Sequence, residues 1–517
     1  MTRPRSVLAI DLGTQSLRVS VVETSGARLW SWSRPVDSIV DGALNEQDPR
    51  QWDDLLLAGI DAAAAAGFVP DAIAACGTLA GFVALDTAGT ALTRAVMYND
   101  GRNAALVDDV ERALGPANRY PRAAGADPLP QWLRLRRDQP AIAAATRHFL
   151  DATGWLNFRL TGEATLNSYS ALRLYTPAIR AALFADAPVF GRPVATGERI
   201  GVLSADLAAR LAWPRVPVFA APFDSKCAYL ASGISEPGSA LDISGTVTSF
   251  GVVANRAVRD PQRRIYSVPF GDAWLVRGST AASGSVLEWA KRLLAVDFDG
   301  FDALVRRAAP GAGGVTLAPY LSGARAPLWQ PDARGLMTGL SFAAGPAELA
   351  RGLYEGLALE LRHIVSTIES CGAPVSEIRL TGGLSRNRLL AQIKADVLGK
   401  PLVALAETEL TTLGLVAIAA TGLGAYPDHG AAARALVADG ERFAPVHRPE
   451  YDAAFARYLA ASSAAIALTG AKSARGAATR SASAATMRKS HDRIRSARTP
   501  AAGTITKKPT QREGTTP

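Results

Sequence analysis

Cysteine and histidine are both scarce in this chain. Cys76, Cys227 and Cys371 are its three cysteines in 517 residues, and no two of them form a CxxC pair. So sparse and odd a set excludes a disulfide framework and a cysteine zinc site, and it suits a reducing compartment. The five histidines are scattered, with no metal-ligand spacing. No uninterrupted apolar run is long enough to span a bilayer. Met1-Thr2-Arg3-Pro4-Arg5 leads straight into the first apolar run, without a signal-peptide pattern. A cytoplasmic protein without a membrane partner is therefore expected.

The folded part of the chain also lacks a surplus of charge. The formal net charge is +9, but Ser463 to Pro517 holds eleven Lys and Arg against Asp492 and Glu513, which accounts for all of it. The remainder is balanced, so it has no basic domain of the kind nucleic-acid binders show. From Gly470 onward the sequence is Ala, Ser, Thr, Lys, Arg, Gly and Pro with almost no large apolar residue, a composition that predicts a disordered tail. The alternative for the tail is non-specific contact with anionic polymers, which salt would weaken steeply. The rest is too long for one core and predicts two domains.

What is present begins with VLAIDLGTQSLRVSVVE, Val7 to Glu23. A continuous apolar run ends at Asp11, a turn follows at Gly13-Thr14-Gln15-Ser16, and a Val-rich run returns through Arg18: strand, tight turn, strand. Gly13 permits the turn and leaves room for a ligand. Thr14, Gln15 and Ser16 offer hydroxyls, an amide and backbone N–H groups to a phosphate, and Asp11 is placed to hold a hydrated Mg²⁺. An ordinary hairpin whose Asp caps its own turn is the other reading.

Further along, Asp48 caps a helix from about Arg50 to Ala66, with Pro49 at its first position. Ala72 to Cys76 is a short strand running into Gly77-Thr78. The strand at Val96 ends in Tyr98-Asn99-Asp100-Gly101-Arg102, where Asp100 and Arg102 suit hydroxyl recognition or, equally, a capped helix start. Val216 to Phe223 reads as a buried strand ending in Asp224. Ser239 to Ser244 then runs into Gly245-Thr246, so each half-chain opens with a strand into a Gly-Thr turn. Two similar domains facing each other across a cleft is the economical arrangement. Ile378 to Thr381 leads into Gly382-Gly383, with Ser385-Arg386-Asn387 opening the next helix, an anion or nucleotide site by geometry. Thr411 to Gly422 is a small-residue helix suited to close packing.

Together these segments resemble the FGGY carbohydrate kinases, of the sugar kinase/actin/chaperone ATPase superfamily. The likeness runs from about Val7 to about Gly424. It rests on DLGTQSLR, YNDGR, FDSKCAYLASGISEPG, DISGTVTS, PYLSGARAPLWQPDARG, TGGLSRNRLLAQIKADVLGKPL and TTLGLVAIAATGLG, in that order. The resemblance implies two ribonuclease H-like α/β domains, 1–232 for the sugar and 233–468 for the nucleotide, followed by the tail from 469. It implies transfer of a phosphoryl group from ATP, with Mg²⁺, to a hydroxyl of a small sugar or polyol, and a possible homodimer. By the same resemblance Asp224 is the base and Asp11 supports Mg²⁺. Thr14, Gln15, Ser16 and Arg18 attend the transferring group, and Gly245 and Thr246 hold the phosphates. Gly382, Gly383 and Asn387 border the adenosine, while Thr78, Leu79, Asp100 and Arg102 meet the acceptor.

The chain departs from the family at informative places. Xylulokinase-like members carry Gly-Gln-Met-His-Gly where this chain has Gly77-Thr78-Leu79-Ala80-Gly81, so two groups that meet sugar hydroxyls are replaced. The family's Gly-Glu-Arg becomes Gly323-Ala324-Arg325. Lys226 stands two residues after Asp224 and either meets substrate or phosphate or, as its charge favours, points to solvent. A ketopentose is the first expectation for the acceptor, with polyols such as glycerol or erythritol as alternatives. A non-catalytic nucleotide switch like actin would share the two Gly-Thr turns, but YNDGR and the PYL…ARG loop fit the kinase.

Overall fold

The computed structural model describes residues 5–114, 125–172 and 190–469; the tail read as disordered, 470–517, lies outside them. Among the described residues the two half-chains build the same sheet twice. In the first, Ser6–Leu12 pairs antiparallel with Ser16–Glu23, which pairs with Arg28–Pro35. On its other side Ser6–Leu12 runs parallel to Ala72–Gly77, then comes Pro217–Ala220, also parallel, and an antiparallel edge at Arg199–Val202. In the second, Ser239–Ser244, Thr248–Ala254 and Ala273–Ser279 form the antiparallel meander. Glu377–Thr381 and Leu402–Leu405 are the parallel strands, and Asp439–Phe443 is the antiparallel edge. Tyr266–Phe270 adds a seventh strand beyond the meander. The repetition expected from the two Gly-Thr turns therefore extends to the order and direction of six strands.

The first strand is apolar from Val7 to Ile10 because both of its faces are covered. Leu8, Ile10 and Leu12 point into a core with Leu17, Val19, Trp52 and Ile60, on the side of the helix Pro49–Ala65. That helix starts where the sequence places it, with the Asp48 carboxylate accepting from the Arg50 N–H at 2.9 Å. Val7 and Ala9 point the other way, against Leu415, Val416, Ile418 and Ala419. These last residues belong to Leu410–Gly422, a helix of the second half, so a C-terminal element closes one face of the N-terminal sheet. Its small residues are used as expected. Gly414 meets the backbone of Cys227 in the helix Asp224–Ala231, and Gly422 meets the ring of Phe219.

A smaller sheet is inserted in the first half, in the order Ile39–Asp41, Leu44–Gln47, Ala95–Met97, Ala80–Leu85, His148–Leu150. Its Phe82 and Phe149 pack with Trp132 of the helix Pro128–Asp138. In the second half the 25-residue helix Pro346–Ser370 forms the spine, and Glu348 accepts from the Gly345 N–H at 2.9 Å to cap its start. A helix at 449–469 packs Tyr451, Ala454 and Tyr458 against it. No helix among the described residues is long and apolar enough to cross a membrane.

Candidate active site

Asp11 lies at the end of the first strand, opposite Arg18 across the hairpin and beside Cys76 in the parallel neighbour. The turn is tight: the Gly13 N–H donates to the Ser16 carbonyl at 2.9 Å. Gln47 fixes it from below by donating to the Thr14 carbonyl at 2.8 Å. Thr14 and Thr78 hydroxyls stand 3.2 Å apart, so the turn and the segment after Ala72–Gly77 share one end of the sheet. Gln15 has an exposed side chain, and those of Thr14 and Ser16 are half-buried. Arg18 does not stand free for a phosphate. It lies 3.7 Å from both Asp11 and Glu409, and Glu409 also pairs with Arg28 at 3.0 Å, so this cation links the two halves.

Asp224 is not the end of a strand. Pro217–Ala220 stops four residues earlier, because Pro222 has no N–H for the ladder, and Asp224 is the first residue of the helix Asp224–Ala231. Its carboxylate accepts from the Ser225 N–H at 2.6 Å. Burial pushes this carboxyl up to about 6, opposed by the Ser225 N–H and the positive charge of Arg277. Asp11 is raised further, to about 7, by burial and next by the charge of Asp224, with Arg18 and the Cys76 thiol pulling the other way. Two acids from different elements therefore share one neighbourhood, and the charge of Asp224 disfavours ionisation of Asp11.

On the opposite side, three segments meet at the second turn. A β-carbon on Gly382, whose φ is +92°, would stand 2.5 Å from the Ser244 carbonyl oxygen. One on Gly284 would stand 2.7 Å from the Gly245 carbonyl oxygen, whereas nothing lies within 4 Å of one on Gly383. Gly245 is half-buried, the Thr246 side chain is exposed, and the Gly383 side is open. This is a backbone cradle with room on one side. Asn387 caps the helix Arg388–Leu398 through the Leu390 N–H, and its amide donates to Asp302 and Tyr354.

The residues expected to meet the acceptor lie along the small sheet, which the Gln47 bond ties to the first turn. Thr78 is buried, and Leu79 is half-buried where the chain kinks, with φ of +67° at both Ala80 and Gly81. Positive φ at an alanine costs energy and is met where surroundings impose it. Asp100 realises the capping alternative. Its oxygens accept from the Asn45 and Arg102 N–H groups and from the Arg102 guanidinium, whose Nη2 also reaches Glu46 at 2.5 Å. Asp100 thus holds Arg102 in place, and the Arg102 side chain remains 27% exposed.

Some features escaped the sequence. Lys226 does not point to solvent. It is buried at 8% exposure, and burial, then the charge of Arg277, pushes its ammonium down to about 8. Lys394 is buried as well, 2.7 Å from Asp242 and 2.6 Å from the Ser244 hydroxyl, directly behind the second turn. A lysine in an otherwise apolar helix face was the available signal. Cys76 and Cys227, remote in sequence, are neighbours, and burial and each other's company raise the Cys76 thiol well above its usual range.

Two domain models of one known family match most of this arrangement. The N-terminal domain of the FGGY family of carbohydrate kinases matches residues 6–231, and the C-terminal domain matches 241–423. The chain belongs to the FGGY family of carbohydrate kinases. It is 26% identical to a xylulose kinase of Staphylococcus epidermidis over 461 residues, 85% of this chain and 92% of that one. It is 28% identical to a glycerol kinase of Alkalilimnicola ehrlichii over 454 residues, 81% and 90% of the two chains. Among solved structures, a xylulose kinase from Rhodospirillum rubrum superposes with a TM-score of 0.79 at 28% identity, covering 90% of this chain and 99% of that one.

FGGY kinases are phosphotransferases with an alcohol acceptor that use ATP and Mg²⁺, and the residues here fit both. Two neighbouring carboxyls raised by burial and by like charge are what a divalent cation relieves. Among the described residues no group of three or more His, Cys, Asp or Glu side chains is placed to cage a metal. A Mg²⁺ would therefore be held through Asp11, waters and phosphate oxygens, its common mode. The Gly245, Gly284 and Gly382 cradle offers backbone to a phosphate without side chains in the way.

Proposed function

We propose that this FGGY kinase phosphorylates a small sugar or polyol, a ketopentose such as xylulose or ribulose before others, with Asp224 as the base. The observation that carries the reading is a pair of half-buried carboxyls, Asp11 and Asp224, both raised by burial, with Asp11 raised further by the charge of Asp224, beside a phosphate-type turn. The acceptor hydroxyl oxygen forms the new bond to the γ-phosphorus. The bond from that phosphorus to the bridging oxygen breaks, ADP keeps the electron pair, and the hydroxyl proton passes to Asp224. Mg²⁺, when bound, neutralises phosphate charge during the transfer. Thr14, Gln15 and Ser16 position the γ-phosphoryl group with Arg18 steadying Asp11. Gly245 and Thr246 hold the phosphates from the other half, and Gly382, Gly383 and Asn387 border the adenosine. Residues 1–232 thus serve the acceptor and 233–468 the nucleotide.

Thr78, Leu79 and Arg102, the last braced by Asp100, line the acceptor side. Thr78 and Ala80 offer fewer hydrogen-bonding groups than the Gln and His that xylulokinase-like members use, which favours an acceptor that is smaller, deoxy or differently oriented. A site built around a hydroxyl discriminates strongly, so this segment sets specificity. A glycerol-like acceptor is the second reading, favoured by the glycerol kinase relative at 28% identity. ADP formation from ATP and Mg²⁺ across a panel of ketoses, aldoses and polyols tests both. Saturable turnover on a ketopentose supports the first reading, and on glycerol or erythritol alone the second. Absence of turnover on every member of the panel overturns both.

A further inference from the structure

A cavity of about 250 Å³ lies between the small sheet and the helix Pro128–Asp138, lined by Glu46, Thr93, Arg94, Gln131, Arg134 and Phe149, among others. It contains neither Asp11 nor Asp224 nor any residue of the two phosphate turns, and it adjoins the Asp100–Arg102 segment only through Glu46, which pairs with Arg102. Its size is close to that at which small-molecule sites begin.

The charges around it do not balance. Glu46 is held by Arg102 at 2.5 Å and lies 3.8 Å from Arg94, and Arg102 is also paired with Asp100 at 2.7 Å. Arg134 has no such partner among the described residues. It is 9% exposed, its Nε is buried without a hydrogen bond, and burial lowers its guanidinium from the usual range. Arg94, Arg102 and Arg134 thus stand around Glu46 and Asp100, with Asp138 farther along the helix already paired with Arg137, and Arg134, which forms no ion pair among the described residues, is the most buried of the three. A buried cation without a counter-charge is costly. Gln131, 2% exposed, donates to the Ala126 carbonyl at 3.2 Å and leaves its own buried oxygen without a donor. The cavity therefore presents guanidinium donors that lack an anion and an amide oxygen that lacks a hydroxyl. Apolar walls at Phe82, Leu92 and Phe149 would enclose a carbon skeleton.

We propose that this cavity is a second ligand site, for a small anion that also carries hydroxyl groups: a hydroxylated carboxylate or a phosphate monoester of a polyol. The anionic group meets Arg134, and a hydroxyl donates to the Gln131 oxygen. Glu46 also lines the cavity, and its charge is offset by Arg102, which it shares with Asp100, and by Arg94.

Titration of the full chain, without nucleotide, with D-gluconate, glycerol 3-phosphate and uncharged glycerol tests this. Calorimetry or the fluorescence of Trp132, whose ring lies 5.2 Å from that of Phe149, serves as readout. The expected result is saturable binding of at least one anion that the Arg134 and Gln131 variants weaken, and whichever such anion binds more tightly assigns the class; binding of glycerol or of an anion that both variants leave unchanged belongs to the acceptor site. Binding should weaken about tenfold or more in Arg134→Gln, the usual scale for a hydrogen bond to a charged group, and less in Arg134→Lys. Gln131→Glu, nearly isosteric, places a negative charge in the cavity and should abolish binding even if Arg134→Gln proves unstable. No saturable binding of either anion, or binding unaltered by both Arg134→Gln and Gln131→Glu, overturns the proposal and leaves a water-filled cavity.

Discussion

Gly414 packs so closely on Cys227 that a β-carbon on it would stand 2.2 Å from the Cys227 carbonyl oxygen and 3.0 Å from its Cα. The obstruction is backbone, which yields only if the two helices separate. One of those helices begins at Asp224 and the other belongs to the C-terminal half. Gly414→Ala is therefore expected to destabilise the fold by about 1–3 kcal/mol or more, the range for overpacking, and to lower kcat by displacing Asp224. Thermal unfolding and steady-state kinetics on the purified variant check both effects. An unchanged melting temperature would show that the helices do not cross as described.

Lys394 and Asp242 form a buried pair behind the second turn, with side-chain exposures of 3% and 0%. Removing one partner of such a pair costs about 3–5 kcal/mol, because the other charge remains buried alone. Lys394→Met should lose stability on that scale in denaturant titration. It should also weaken ATP binding, since Ser244, which bonds Lys394, adjoins Gly245. The double variant Lys394→Met/Asp242→Leu should recover much of the stability.

Asp151 is buried and accepts from Gly154, Asn167 and Ser170 at 2.6–2.7 Å. Burial nonetheless pushes its carboxyl up to about 6 from 3.8. The folded state therefore holds the proton more tightly than the unfolded chain. The resulting stability is complete below about pH 4 and is lost as pH rises through about 6. The shift corresponds to about 3 kcal/mol. Unfolding free energies of the wild type and Asp151→Asn, measured from pH 4 to 7, should diverge by that slope. Parallel profiles would contradict it.

The sequence carries the two sheets legibly because their strands are strongly apolar and their turns rich in glycine. Asp48 and Pro49 mark a helix start to the residue, and the two Gly-Thr turns announce the repeat. Local pattern does not reveal charge in the interior. Lys226 reads as a solvated side chain, yet the fold buries it, and Lys394 pairs with Asp242, which lies 152 positions away in the chain. Asp100 illustrates a different limit. The same Asp-x-Arg spacing serves a cap and a ligand site, and only the Arg102 N–H donating to the Asp100 carboxylate shows that the cap is formed.

The most direct measurement of the central claim is turnover by Asp224→Asn with ATP, Mg²⁺ and the preferred acceptor, together with its nucleotide affinity. With Asp224 as base, the variant binds nucleotide as the wild type does but transfers no measurable phosphoryl group. Wild-type activity, which needs the ionised carboxylate, falls as pH drops through about 6. Turnover by Asp224→Asn equal to that of the wild type would contradict the assignment.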